Sequence, residues 1–156
     1  MDRGVCDDAS ADRAVAEIEK TTGTVDVLVN NAGIAIAAVM EEIALADLRR
    51  RFATNYFGLV RMSQGVLPEM RRKLSGRIIN RSSIAGKLVS RLFGPKGSSK
   101  HAVEAVSRAK RLEVYPFGIQ VVGIEPGSIA SSMNRHASEW SSAYAKGAEQ
   151  SPYKAV

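Results

Sequence analysis

Cysteine is nearly absent from this chain: Cys6 is the only one among 156 residues, so no intrachain disulfide can form. Histidine is almost as scarce, and His101 and His136 make no metal-ligand spacing, so no metal site is expected. Aromatic residues are only 6% of the chain, and none interleaves with its basic clusters. Long hydrophobic runs are missing too. The most apolar stretch, 27–40, is interrupted by Asn30, Asn31 and Gly33 and falls far short of a membrane span. The opening MDRGVCDDAS has no apolar segment of the kind that drives secretion. These absences predict a soluble protein of a reducing, cytoplasmic compartment with no membrane span.

With 45% hydrophobic and 24% charged residues, the composition is that of an ordinary globular domain. We expect 1–156 to form a single domain around one core. The formal charge of +6 raises the question of a nucleic-acid partner. Its densest clusters, Arg49-Arg50-Arg51 and Arg71-Arg72-Lys73, each fall on one expected helix, the second at that helix's end, where cations favour the dipole. Both are read as solvated helix faces, and no nucleic acid is expected as a partner.

Hydrophobic periodicity gives a repeated pattern of short apolar run, polar loop and helix. A helix is predicted over 9–22, ending at Gly23, and a strand over 25–29. A long helix over 45–73 places Leu45, Leu48, Phe52, Tyr56, Leu59, Val66 and Met70 near helical spacing, with a kink expected at Pro68. A second strand is predicted over 77–80, a helix over 96–114 closed by Pro116 and Gly118, and a third strand over 119–124. β-branched residues on both faces of the strands favour a parallel sheet covered on two sides. The fold class is therefore α/β, a partial Rossmann-type doubly wound parallel sheet of three recognisable strands flanked by helices, with an exposed edge at 25–30. Segment 128–156 is Ser- and Ala-rich without strand signal, and is expected to be a substrate lid or a mobile segment.

In open parallel sheets ligands bind beyond the carboxyl ends of the strands. The first strand is followed by Asn30-Asn31-Ala32-Gly33, the second by Ser82-Ser83-Ile84-Ala85-Gly86, and the third by Glu125-Pro126-Gly127. Small and amide residues let backbone approach a flat ligand and supply hydrogen bonds to it. The 82–95 loop is also much longer than the usual ~2–6 residues of such a connection, as loops that build sites are. Taken singly, Asn55 reads as a tolerated polar residue in a helix, and Ser82 and Ser83 as loop formers.

In combination and in order, these residues resemble the short-chain dehydrogenase/reductase family from about position 5 to 131. Asn30-Asn31-Ala32-Gly33 is similar to the family's NNAG motif, and Pro126-Gly127 with Ser131 resembles the segment that flanks the nicotinamide. Asn55, Ser83 and Lys100 stand where the family has its active-site asparagine, serine and lysine. The resemblance implies NAD or NADP as cofactor, held through Asn30, Asn31, Ala32, Gly33, Lys100, Pro126, Gly127 and Ser131. It implies hydride exchange between cofactor and a small-molecule alcohol or carbonyl. In the family a tyrosine phenol carries the proton, a lysine one turn on lowers its pKa, a serine holds the substrate oxygen, and the asparagine positions the lysine. The wording around Ser82 to Gly86 and Ile124 to Gly127 resembles the branch that handles steroids, retinoids and lipid carbonyls. The helices at 45–73 and 96–114 would pair in a homodimer.

Departures from the pattern are specific. At the family's usual spacing from Ser83 the residue is Lys96, not tyrosine, so Lys96 takes its place in the candidate catalytic set with Asn55, Ser83 and Lys100. No Gly-x-x-x-Gly-x-Gly precedes Val25, and Gly4 stands where an aspartate often lies beside the adenine. Arg81 replaces an apolar strand residue and must reach solvent or find a partner. The family's final strand is not recognisable. The chain thus resembles a family member truncated at its N-terminus and apparently at its C-terminus. Two readings follow: an NAD(P)-dependent oxidoreductase impaired in this chain, or a catalytically inactive homologue that binds or dimerises. A further possibility is that the Lys96–Lys100 pair, like charges one turn apart, turns Lys96 into an amine nucleophile or weak general acid.

Overall fold

The computed structural model describes residues 4–129, 141, 142, 144 and 150–154. Helix α1, Asp8–Thr22, starts where the Asp7 side chain accepts a hydrogen bond from the Ser10 amide at 2.9 Å, a normal N-cap. It ends at Gly23, whose φ of 90° few other residues adopt. Strand β1, Val27–Asn30, is followed by α2, Leu45–Phe52, a π-helical turn, Ala53–Phe57, and α3, Gly58–Lys73. Then come β2, Gly76–Arg81, α4, Gly94–Val114, and β3, Ile119–Ile124. The expected long helix is present, but its irregular turn lies at Ala53–Phe57, while α3 continues through Pro68. Among the described residues no helix is long and apolar enough to cross a membrane.

The strands form a three-stranded parallel sheet in the order β1-β2-β3, with Asn30 opposite Asn80 and Asn80 opposite Gly123. One apolar core joins Val15 of α1, Val66 and Met70 of α3 and Val114 of α4 to Ile78, Ile119 and Val121 of the sheet. All these helices therefore pack against one face. The opposite face carries Val27, Val29 and Ile124, each about half exposed, together with an Arg77–Gln120 side-chain pair. The two-sided cover expected from the β-branched residues is thus supplied on one face only by the described residues. A strand's period of two explains the division: Leu28 and Ile78 turn to the helices, and their neighbours turn away.

Beyond β1, the loop before α2 folds over a smaller cluster of Ile36, Ala38 and Ile43, against which Tyr144 packs. The Tyr144 hydroxyl donates to Asp47 at 2.7 Å and accepts from the Ala44 amide at 3.1 Å, and Ser141 accepts from the Ala37 amide. Most of 128–156, where a substrate lid or mobile segment is expected, lies outside the described residues.

One backbone turn leads into β3 under steric constraint. Gly118, after α4, has φ 67°, and a Cβ there would lie 2.6 Å from the Leu74 carbonyl oxygen. Gly118→Ala should therefore lower stability by about 1–3 kcal/mol. Urea unfolding measures it, and an unchanged midpoint would refute the strain argument.

Candidate active site

The carboxyl ends of β1, β2 and β3 lie side by side, and the loops that leave them enclose a cavity of about 470 Å³. Of the residues singled out in the sequence, Asn31, Gly33, Asn55, Ser83, Lys96, Lys100, Pro126 and Gly127 line it. Asn30 and Ala32 do not; they border a separate hollow of about 110 Å³ beside Leu28 and Met62. Ser131 lies outside the described residues.

Strand alternation sets where Asn30 points. Asn30 shares the helix-facing side with Leu28, and its amide donates to Asn80 Oδ1 at 2.9 Å and to Ser63 Oγ at 3.3 Å. Asn80 in turn donates to Ser107 Oγ of α4 at 2.8 Å. This ladder satisfies buried polar groups beneath the sheet and ties β1, β2, α3 and α4 together.

Asn55 makes its contacts at the cavity wall. Its Oδ1 accepts from the Ile34 amide at 2.8 Å and its Nδ2 donates to the Ile34 carbonyl at 3.0 Å. The side-chain amide thus grips the loop after β1, and the π-helical turn that contains it brings it within reach. A Cβ at position 33 would lie 3.3 Å from Asn55 Oδ1, so Gly33 lets the loop pass closely.

After β2 the two serines differ. Ser83 Oγ accepts from the Ala85 amide at 3.2 Å, capping the short turn Ile84–Gly86, and reaches the Pro126 carbonyl at 3.4 Å. Ser82 Oγ is buried and has no hydrogen-bond partner among the described residues. Gly86 makes room for this arrangement, since a Cβ there would lie 2.9 Å from Ser82 Oγ and 3.0 Å from the Lys100 carbonyl.

Lys100, on α4, donates from Nζ to the Arg81 carbonyl at 2.6 Å. Burial first, then the charges of Arg51, Arg81 and Lys96, lower its pKa to about 8, against a smaller opposing effect of Glu104. Lys96 is less buried; its Nζ lies 5.1 Å from the centre of the Phe93 ring, and burial, then Arg51, lower its pKa. Arg81 finds the partner its position demands: Nη1 donates to Asn31 Oδ1 at 3.2 Å.

Sequence reasoning missed Arg51. The run Arg49-Arg50-Arg51 was expected to be a solvated face, yet Arg51 is 1% exposed and lines the cavity. Its Nε donates to Ser99 Oγ at 3.1 Å and its Nη1 to the Ile36 carbonyl at 3.3 Å, and burial lowers its pKa to about 10. The available signal was spacing: Arg51 precedes Asn55 by one helical turn and so shares its inward face. The 71–73 cluster does lie at the exposed helix end, where Arg72 pairs with Glu69 at 2.6 Å.

The Asn55 grip predicts that Asn55→Ala loses about 2 kcal/mol of stability, by leaving both Ile34 backbone groups without these partners. Hydrogen exchange at the Ile34 amide should accelerate in that variant; unchanged protection would contradict the assignment. A second prediction concerns pH. Lys110 of α4 is 6% exposed, its Nζ has no hydrogen-bond partner among the described residues, and burial lowers its pKa to about 8 despite Glu113. Lys100 and Lys110 thus release protons in the folded protein before the unfolded chain does, where the ordinary value is 10.5. Below pH 8 both states are protonated and the burial penalty is felt in full. From about pH 8 to 10.5 it is relieved, so stability should rise by up to about 1.4 kcal/mol per pH unit for each lysine. Lys110→Met should stabilise at pH 7 and flatten this rise. Urea melts at a series of pH values test both, and a flat or falling profile for the parent would overturn them.

Residues 3–142 match the family described as short chain dehydrogenase. The 3-ketodihydrosphingosine reductase of Bacteroides thetaiotaomicron is 40% identical over 137 residues, an alignment that covers 86% of this chain and 51% of that protein. A short-chain dehydrogenase from Streptomyces avermitilis is 38% identical and superposes with a TM-score of 0.80 over 82% of this chain and 47% of its own. A gluconate 5-dehydrogenase from Burkholderia cenocepacia, solved in complex with NADP and tartrate, superposes at 0.82 with 28% identity, over 95% of this chain and 57% of its own. The chain spans about half the length of the relatives it matches. With the family matched across most of its residues and the cavity at the expected sheet edge, this chain belongs to the short-chain dehydrogenase/reductase family.

Proposed function

We propose that the cavity is the substrate end of an NAD(P)-dependent oxidoreductase site that interconverts an alcohol and a carbonyl, and that Lys96 makes hydride-transfer chemistry slow in this chain. The observation that carries the reading is the make-up of the wall: Ser83, Asn55 and Lys100 converge there, while no tyrosine is among the described residues that line it.

The residues present fit the nicotinamide end of the cofactor. Asn31, Gly33, Pro126 and Gly127 border the cavity at the strand ends, and a Cβ at Gly127 would meet nothing within 4 Å, so there is room for a flat ring. When bound, the nicotinamide supplies or accepts the hydride. Lys100, held by the Arg81 carbonyl, presents a cation to the site, and Asn55 keeps the β1 loop in place. Lys96 would have to hold the proton at Nζ. No hydrogen bond among the described residues orients it, and its ammonium lies toward Phe93. A general acid that is not aimed at the substrate oxygen contributes little, and losing such a group typically lowers rate by ~10²–10⁴.

The inactive reading, a homologue that binds or dimerises through helices 45–73 and 96–114 without turnover, parts from this one at cofactor binding. The test compares parent and Lys96→Tyr. Hydride transfer from NADH and NADPH to small ketones should be about 10²-fold faster in the tyrosine variant. Equal rates would reject the role given to position 96, and failure of both proteins to bind either cofactor would favour the inactive homologue.

A further inference from the structure

The cavity's charge is one-sided. Arg51, Arg81, Lys96 and Lys100 line it, and among the described lining residues there is no carboxylate. Arg51 is the telling member. Its guanidinium is almost wholly removed from water, yet its described partners are a serine hydroxyl and a backbone carbonyl, both neutral. A buried cation without a counter-charge is unfavourable, and cations gathered around one space repel one another. Burial first, then the charges of Arg51, Arg81 and Lys96, push Lys100 toward its neutral form, in keeping with such repulsion. A second observation points to a ligand: Ser82, a lining residue of the same cavity that is 3% exposed, has a buried Oγ with no hydrogen-bond partner among the described residues.

We infer that the substrate of this cavity carries an oxyanion, a carboxylate or a phosphate, beside its alcohol or carbonyl. The oxyanion would be received by Arg51 and Lys96, with Ser82 donating the remaining hydrogen bond. A guanidinium offers paired donors to such a group, and the cations that destabilise one another in the empty cavity would share its charge. This deepens the reading proposed above and rests on it for the identity of the reacting group, but not for the binding of the anion.

The experiment is calorimetric titration of the full chain, without cofactor and at constant ionic strength, with malonate and with inorganic phosphate, using dimethyl malonate as the uncharged match. Saturable one-site binding of at least one anion is expected, and none of the ester. Tighter binding of malonate assigns a carboxylate, and tighter binding of phosphate a phosphate. Lys96→Gln, at a half-buried position where folding should survive, should weaken binding about tenfold or more. Arg51→Gln should weaken it further, with circular dichroism to confirm that it folds; if it does not, Lys96→Gln decides. Absence of saturable binding, unchanged affinity in Lys96→Gln, or competitive displacement of the anion by NADPH would overturn the inference. If the anion fails to bind while cofactor binding and hydride transfer hold, only this inference falls. If the anion binds and neither cofactor does, the oxidoreductase reading falls and the anion site stands.

Discussion

The site depends on a side-chain amide that grips a backbone. Asn55 satisfies both the N–H and the C=O of Ile34, so the loop leaving β1 is fixed to the helix that leads to β2. The same helix, one turn earlier, sends Arg51 to Ser99 of α4. Helix α4 is in turn fastened to β2 by Lys100 at the Arg81 carbonyl and by Ser107 at Asn80. The cavity is therefore enclosed by segments distant in sequence but joined through polar side chains with defined geometry. The apolar core at the other end of the sheet supplies the burial that holds the layers together, while these directional bonds place the loops.

That construction explains why the cavity tolerates so much positive charge. A guanidinium with its Nε and Nη1 occupied is fixed in position but not neutralised, since Ser99 and the Ile36 carbonyl contribute dipoles rather than charge. The same holds for Lys100 at the Arg81 carbonyl. Polar framework bonds meet the hydrogen-bonding demand of these groups and leave their electrostatic demand to whatever enters.

The strands were legible because β-branched runs between Gly and polar loops have few other solutions, and the site's place followed from the sheet's parallel sense. The sequence also held the correct facing of Asn30 and Arg51. Asn30 has the parity of Leu28, and Arg51 has the helical phase of Asn55. Both were read by motif or by cluster instead, which hid the geometry. The π-helical turn at Ala53–Phe57 was not legible, because it arises where a helix must satisfy a loop contributed by another part of the chain; Pro68, the visible irregularity, sits within α3. The bare sheet face could not be foreseen from residue type either. Val27, Val29 and Ile124 have the character of covered residues, and the cover is not among the described segments.

Lys96 joins the two unusual properties of this site. A phenol is neutral when it holds its proton and negative when it does not, so beside Lys100 it gains from the neighbouring cation on losing the proton. An amine starts positive and becomes neutral. The same neighbour also makes the amine a stronger acid, so proton transfer is not excluded on energetic grounds; what is missing is a hydrogen bond that aims it. At the same time the exchange adds a cation to a wall that already holds Arg51, Arg81 and Lys100. One substitution thus weakens the orientation that hydride chemistry needs and strengthens the field that an anionic ligand would feel. On the proposed reading, slower hydride transfer and affinity for an anion would both follow from the same charge, which is why binding of the anion and turnover have to be measured separately.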